Sequence, residues 1–124
     1  MTASSNNKQL LGALYVRCAS RLPDDAYYLD EQRLQVEKSA ISDDVLIVKT
    51  YEDIGVSGII NPMLRPGLSA LLEDARNGVF NVLYIASQDR LGRRTRQVTD
   101  IVRVLQKARV KIKVSGQGEM GNIL

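Results

Sequence analysis

Arginines, carboxylates and serines follow closely on the apolar runs of this sequence. Arg17 and Ser20 come after the first run, Asp53 after the second, and Asp89 and Arg90 after the third. Guanidinium groups match the geometry of a phosphate through paired hydrogen bonds and keep their charge when partly desolvated. A serine beside them can act as a nucleophile, or it can cap a helix. These residue types therefore favour chemistry on a phosphate ester.

Apolar patterning predicts the elements that would position these groups. Strand-like runs rich in Val, Ile, Leu and Tyr occupy residues 10–18, 45–51, 80–86 and 110–114. Helical patterns occupy residues 27–40, 66–78 and 95–108. Strands that alternate with helices in this way predict an α/β fold, a mainly parallel sheet of four to five strands flanked by helices.

One edge of the predicted sheet should collect the charged groups, because ligands of open α/β sheets bind beyond the carboxyl ends of the strands. The groups that we expect there are Arg17, Asp53, Arg65, Asp89, Arg90 and Arg93. Arg65 follows a loop with several turn-forming residues, so its side chain could be loosely positioned without contradicting this expectation.

Composition narrows the class of protein. The chain has 124 residues, no histidine and one cysteine. We therefore expect no metal site, no cofactor, no internal disulfide and a cytoplasmic location. No apolar run is long enough for a membrane span. We expect a disordered arm at residues 1–9, one folded domain at 10–115 and a tail at 116–124.

Basic charge is concentrated in one segment. Between Arg90 and Lys113, nine basic residues accompany one acid, Asp100. This segment carries +8 and the rest of the chain −5, although the net charge is only +3. A basic block beside an acidic body predicts a polyanionic partner, foremost a nucleic acid. The alternative is a solvated helix face.

Four segments of the chain resemble the catalytic domain of the serine recombinases, the resolvase/invertase family. They read YVRCAS, YEDIGVSG, RPGLSALL and DRLGRRT, and the resemblance covers about residues 12–115. It implies a serine that attacks a DNA phosphodiester, forms a 5′-phosphoserine link and releases a 3′-hydroxyl, without ATP or metal. It also implies a homodimer or tetramer in a full-length protein with a long dimerisation helix, so we expect this chain to be truncated before that helix.

The resemblance also assigns roles to individual residues. It implies catalytic roles for Arg17, Arg65, Asp89, Arg90 and Arg93, and supporting roles for Gln32, Asp53 and Ser57. Gly92 would allow the turn within the last motif. Arg94 and Arg96 fall outside the family pattern, and we expect them to meet the DNA backbone or solvent. The general base stays open between Asp89, an arginine network and water.

The nucleophile is the one departure from the family pattern. The pattern places a serine two residues after the arginine, where this chain has Ala19. Ser20, one position later, either replaces that nucleophile or caps the next helix, or the domain lacks a nucleophile. We predict the catalytic domain of a site-specific DNA recombinase with Ser20 as nucleophile. The alternatives are an inactive recombinase-like domain that serves assembly or DNA docking, and a flavodoxin-like or receiver-type signalling domain.

Overall fold

The computed structural model describes residues 10–18, 23–55, 65–92, 94–115 and 118–119. The strands in these ranges are β1 (Leu11–Cys18), β2 (Leu46–Ile54), β3 (Val82–Ile85), β4 (Lys111–Val114) and β5 (Gly118–Glu119). The helices are α1 (Pro23–Ser42), α2 (Pro66–Arg76) and α3 (Thr95–Lys107), and a 3-10 turn spans Gln88–Arg90.

A single sheet contains these five strands in the order β2-β1-β3-β4-β5. β1 pairs in parallel with β2 and β3, and β3 pairs in parallel with β4, whereas β5 is antiparallel to β4. The predicted α/β fold with a mainly parallel sheet is confirmed. β5 lies in the segment that we expected to be a tail, and two residues are too few to show a strand periodicity in the sequence.

Both faces of β1 are covered, and its residues 12–17 are all buried. Leu14 and Val16 pack with apolar residues of α1, whereas Ala13 and Tyr15 pack with apolar residues of α2 and α3. Because side chains alternate along a strand, Arg17 lies on the same face as Tyr15. The arginine at the end of β1 therefore faces α2.

β2 is longer than the apolar pattern predicts. The pattern ends at residue 51, but the strand continues to Ile54 because its last residues still pair with β1. Asp53 is thus a strand residue, and it lies opposite Arg17 in the β1–β2 register. α1 also exceeds its prediction, since it begins at Pro23 instead of residue 27.

All three helices end in the same way, with one residue in the left-handed conformation. These residues are Asp44 (φ 59°), Gly78 (φ 74°) and Arg109 (φ 63°). In each case the next amide donates back to the last turn, as Val110 N does to Leu105 O at 2.9 Å. This hydrogen-bond pattern is the Schellman motif. The valine that follows each left-handed residue then leads the chain towards the next strand.

The limits of the folded domain stay a prediction. Residues 1–9 and most of residues 116–124 lie outside the described residues. Of the helices that are described, none combines the length and the apolar character that a membrane crossing requires.

Replacing Gly78 should destabilise the domain through the backbone alone. A Cβ at this position would meet no atom within 4 Å, so crowding adds nothing to the cost of a left-handed φ of +74°. We expect Gly78→Ala to lower the free energy of unfolding by about 1 kcal/mol. Gly78→Asn should lower it by roughly half as much, because asparagine tolerates this conformation better. Urea unfolding of the two variants measures both values, and equal losses would contradict the explanation.

Candidate functional site

Five of the predicted site residues lie at the carboxyl ends of β1, β2 and β3. Arg17 is near the end of β1 and Asp53 near the end of β2, while Asp89 and Arg90 form the 3-10 turn after β3. Arg65 is the N-cap residue of α2, beside the same edge. The structure brings all five together, although their sequence separations reach 73 residues.

Asp53 caps α2 from a neighbouring strand. The helix starts with Arg65 and Pro66, and no side chain at its own N-cap position makes a cap hydrogen bond. Instead the carboxylate of Asp53 accepts from the amides of Gly67 (2.7 Å) and Leu68 (2.9 Å). A carboxylate at a helix N-terminus satisfies amides that have no intrahelical partner and complements the helix dipole. Asp53 therefore fixes the start of α2 against β2.

Tyr15 links this carboxylate to Arg65, and our sequence interpretation missed it. Its hydroxyl donates to Asp53 Oδ2 at 2.7 Å and accepts from Arg65 Nη2 at 2.7 Å. Burial, followed by the hydrogen bond to Asp53, raises the pKa of Tyr15, so the phenol stays protonated and can make both bonds. The signal that could have found it is strand alternation, which places residues 15 and 17 on one face.

Arg17 and Arg65 both bind the backbone of the 3-10 turn. Arg17 donates to the carbonyls of Asp89 (2.8 Å) and Arg90 (3.2 Å). Arg65 donates to the carbonyls of Arg90 (2.7 Å) and Leu91 (2.6 Å). Both arginines have a relative exposure of 0%. Arg65 is therefore firmly held. The sequence had left open a loosely positioned side chain here, because a loop of turn-forming residues precedes Arg65.

The side chain of Arg90 binds the backbone of Arg17 in turn. Its Nη1 donates to the carbonyl of Arg17 at 2.9 Å, and its Nε lies 3.8 Å from a carboxylate oxygen of Asp89. About a third of the Arg90 side chain is exposed, 30% against 0% for Arg17 and Arg65. Of these three guanidinium groups, Arg90 is the one that solvent reaches.

Gln32, on α1, holds the backbone of Arg17. Its Oε1 accepts from the Arg17 amide and its Nε2 donates to the Arg17 carbonyl, both at 3.2 Å. The residue is buried, with 7% exposure. Since Ala19 and Ser20 follow within three residues, Gln32 fixes the chain immediately before the segment of the predicted nucleophile.

Positive charge exceeds negative charge in this cluster. Burial, followed by the charges of Arg65 and Arg90, lowers the pKa of the Arg17 guanidinium. The carboxylates among the described residues of the cluster are Asp53 and Asp89. Three guanidinium groups and two carboxylates leave an excess of one positive charge where the dielectric constant is low. Such a site favours an anion.

Several residues that the sequence analysis considered for the site are not part of the observed arginine cluster. Ala19, Ser20, Ser57 and Arg93 lie outside the described residues. Arg94 and Arg96 are described; both are exposed at the start of α3. Within the described ranges, no group of three or more His, Cys, Asp or Glu could hold a metal ion.

The expectation for Gly92 is wrong. Its φ is not in the left-handed region, and a Cβ there would come no closer than 3.5 Å to another atom, so the turn accepts other residues. Gly67 is the glycine that the site requires. A Cβ on Gly67 would lie 2.5 Å from the carbonyl oxygen of Glu52 and 2.9 Å from Asp53 Oδ1. Glycine at this position allows α2 to approach β2 closely.

Comparison with known families decides the classification. The family model for the resolvase N-terminal domain matches residues 12–122, which is most of the chain. The chain belongs to the resolvase family of serine recombinases. The matched range includes every described residue of the arginine cluster. No curated protein sequence is similar enough to count as a match.

Solved structures of serine recombinase domains resemble this resolvase-family chain. The N-terminal catalytic domain of TP901-1 integrase shares 26% sequence identity with it at a TM-score of 0.75, over 87% of this chain and 78% of that one. The C-terminal catalytic domain of ISC1926 TnpA, an IS607-like serine recombinase, shares 25% at a TM-score of 0.75, over 85% and 69%. A resolvase family site-specific recombinase from Streptococcus pneumoniae shares the fold, with 21% identity and a TM-score of 0.77 over 92% and 78%.

Gly67→Ala should disconnect Asp53 from α2. The added methyl group would overlap the β2 backbone, so the helix must move away and both amide bonds to Asp53 must lengthen. We expect a loss of about 2 kcal/mol in the free energy of unfolding. Gly92→Ala is the matched control and should change stability by less than about 0.5 kcal/mol. Chemical denaturation measures both variants, and similar losses would contradict the close approach of α2 to β2.

Proposed function

We propose that this resolvase-family domain cleaves and rejoins DNA at specific sites through a covalent phosphoserine intermediate. The observation that carries the proposal is the excess positive charge of Arg17, Arg65 and Arg90 at the carboxyl edge of the sheet. A phosphodiester gains negative charge as it is attacked, and fixed guanidinium groups stabilise that charge without reorganisation. Support also comes from Gln32, which holds the backbone of Arg17, three residues before Ser20 in the sequence.

The proposed step exchanges one phosphoester bond for another. The Ser20 hydroxyl oxygen forms a bond to phosphorus, and the bond from phosphorus to the 3′-oxygen breaks. The serine proton passes to a base and the leaving oxygen takes up a proton, so the 3′-hydroxyl is released. The reverse sequence joins the strand again, and the covalent link conserves the bond energy.

Asp89 is the carboxylate that we propose for proton transfer. Both oxygens of Asp53 are already occupied by the α2 amides and by Tyr15, and Asp53 is only 3% exposed. The Asp89 side chain is 47% exposed and accepts a hydrogen bond from Ser87. A general base must reach its proton directly or through one water molecule. Asp89 is therefore the better candidate of the two carboxylates, and an arginine network and water stay as alternatives.

The second candidate is a recombinase-like domain without catalysis. The observation that favours it is Ala19, which occupies the usual nucleophile position. Strand alternation would direct residue 19 to the face of Arg17, but β1 ends at Cys18, so alternation does not decide between Ala19 and Ser20. In either case we propose that the domain works on DNA, in the cytoplasm, as part of a dimer or tetramer of a full-length protein.

A covalent-adduct experiment tests the nucleophile. A full-length protein that carries this domain is incubated with DNA nicked so that the cleaved strand cannot be rejoined, and the protein–DNA adduct is counted on a denaturing gel. We expect an adduct in the parent protein and none with Ser20→Ala. An adduct that persists in Ser20→Ala would exclude Ser20. No adduct in the parent, followed by its appearance in Ala19→Ser, would show that the inactive alternative is correct.

Salt dependence of DNA binding tests the contact surface. Arg94 and Arg96 lie at the start of α3, a few residues after Arg90 in the sequence, whereas Arg103 and Lys107 lie further along the helix. A rise of 1.5 Å per residue separates Arg96 from Lys107 by about 16 Å. We expect Arg94→Ala with Arg96→Ala to reduce the slope of log affinity against log salt by about 2. Arg103→Ala with Lys107→Ala is the control, and an equal effect there would contradict the proposed surface.

A further inference from the structure

The carbonyls of three successive residues in and after the 3-10 turn point towards the two buried arginines. The oxygens of Asp89, Arg90 and Leu91 accept together four hydrogen bonds from Arg17 and Arg65, at 2.6 to 3.2 Å. Carbonyls at the end of a helical turn lack intrahelical donors, and cations complement their partial negative charge. The two guanidinium groups therefore serve as the caps of this turn.

The hydrogen bonds of Arg65 direct its terminal nitrogens to the 3-10 turn and to Tyr15. Its Nη1 donates to Leu91 O, and its Nη2 donates to both Arg90 O and the Tyr15 hydroxyl. The guanidinium carbon lies 5.6 Å from the centre of the Tyr15 ring, and the residue has no exposure. A ligand for a DNA phosphate must turn at least two N–H groups outwards for paired hydrogen bonds. Arg65 turns its terminal nitrogens inwards.

Arg90 has the opposite character. Its backbone carbonyl is held by Arg17 and Arg65 together, at 3.2 and 2.7 Å, so the two buried arginines set the position of its main chain. Its side chain lies at the surface of the cluster and is partly exposed. Among the described residues, the buried Nε of Arg90 has no hydrogen-bond acceptor, and neither has the Nε of Arg65. The two arginines differ in exposure, since the Arg90 side chain is 30% exposed and Arg65 is fully buried. A donor that is desolvated, unsatisfied and beside a solvent-accessible guanidinium edge is suited to an incoming anion.

We propose that Arg65 is a positioning residue, which holds the 3-10 turn so that Arg90 meets the phosphate, and that Arg65 does not bind the phosphate itself. This division of labour between the arginines rests on the proposed function, since it presumes that the anion is a phosphate. It differs from our sequence-based expectation, in which Arg65 and Arg90 have the same catalytic role.

Two measurements on the 124-residue chain test this division. The first follows the Nε–Hε resonances of the arginines by NMR during titration with inorganic phosphate. We expect the Arg90 signal to shift and the Arg65 signal to stay unchanged. The second follows amide hydrogen exchange in Arg65→Lys. Lysine keeps the charge but cannot cap two carbonyls in a plane, so the amides of Arg90 and Leu91 should exchange about tenfold faster.

Arg103→Lys is the matched control, because Arg103 is exposed on α3, twelve residues from Leu91, and should leave both amides unchanged. A positioning role also predicts a change in the phosphate concentration at which the Arg90 signal is half shifted. In folded Arg65→Lys this midpoint should be about tenfold higher than in the parent chain. Lower global stability alone would not move that midpoint. If Arg65→Lys does not fold, the titration of the parent chain still decides between the two arginines.

The outcomes separate this inference from the proposed function. A phosphate-induced shift of Arg65 equal to that of Arg90 would overturn the inference, and so would unchanged exchange of the turn amides in Arg65→Lys. If phosphate shifts neither arginine, the phosphate role of Arg90 is wrong and with it this part of the proposed function. Faster exchange of the turn amides in Arg65→Lys would in that case still establish Arg65 as the residue that holds the turn.

Discussion

The carboxylate of Asp53 is the contact on which the site depends. It accepts three hydrogen bonds, from the amides of Gly67 and Leu68 and from the hydroxyl of Tyr15. Through these bonds one buried negative charge joins β2, the start of α2 and the centre of β1. Because Arg65 is the N-cap residue of α2, the position of its guanidinium follows from where Asp53 holds the helix. Burying an unpaired carboxylate would be costly, so each of these bonds also stabilises the charge itself.

The remaining buried charges, those of Arg17 and Arg65, are bound mainly by backbone carbonyls. Carbonyl dipoles of the 3-10 turn take the donors of Arg17 and Arg65, and in a low-dielectric interior such charge-assisted bonds are stronger than in water. Arg90 closes the network by donating to the carbonyl of Arg17. The cluster is therefore net positive, and of its three arginines Arg90 is the one that solvent reaches.

Much of the architecture could be predicted from the sequence, and the errors have physical reasons. Alternating apolar runs predicted β1 to β4 and the three helices, because burial on both faces of a parallel sheet imposes that pattern. The predicted end of β2 was wrong because Asp53 does not continue the apolar run, although the backbone of Asp53 still pairs with β1. The role of Gly92 was wrong because a glycine in a motif does not by itself show that the backbone needs one; Gly67 is the glycine that the packing requires.

By itself the sequence determined the order of the elements, the family motifs and the edge of the sheet at which Arg17, Arg65 and Arg90 meet. These properties are local, since they depend on the periodicity of side chains and on where each strand ends. Only the tertiary structure decided what each group does there: which carboxylate caps α2, which hydroxyl bridges to Arg65, and which arginines face inwards. Hydrogen-bond partners up to 73 residues apart make those choices, and their geometry depends on how closely α2, β1 and the 3-10 turn approach one another.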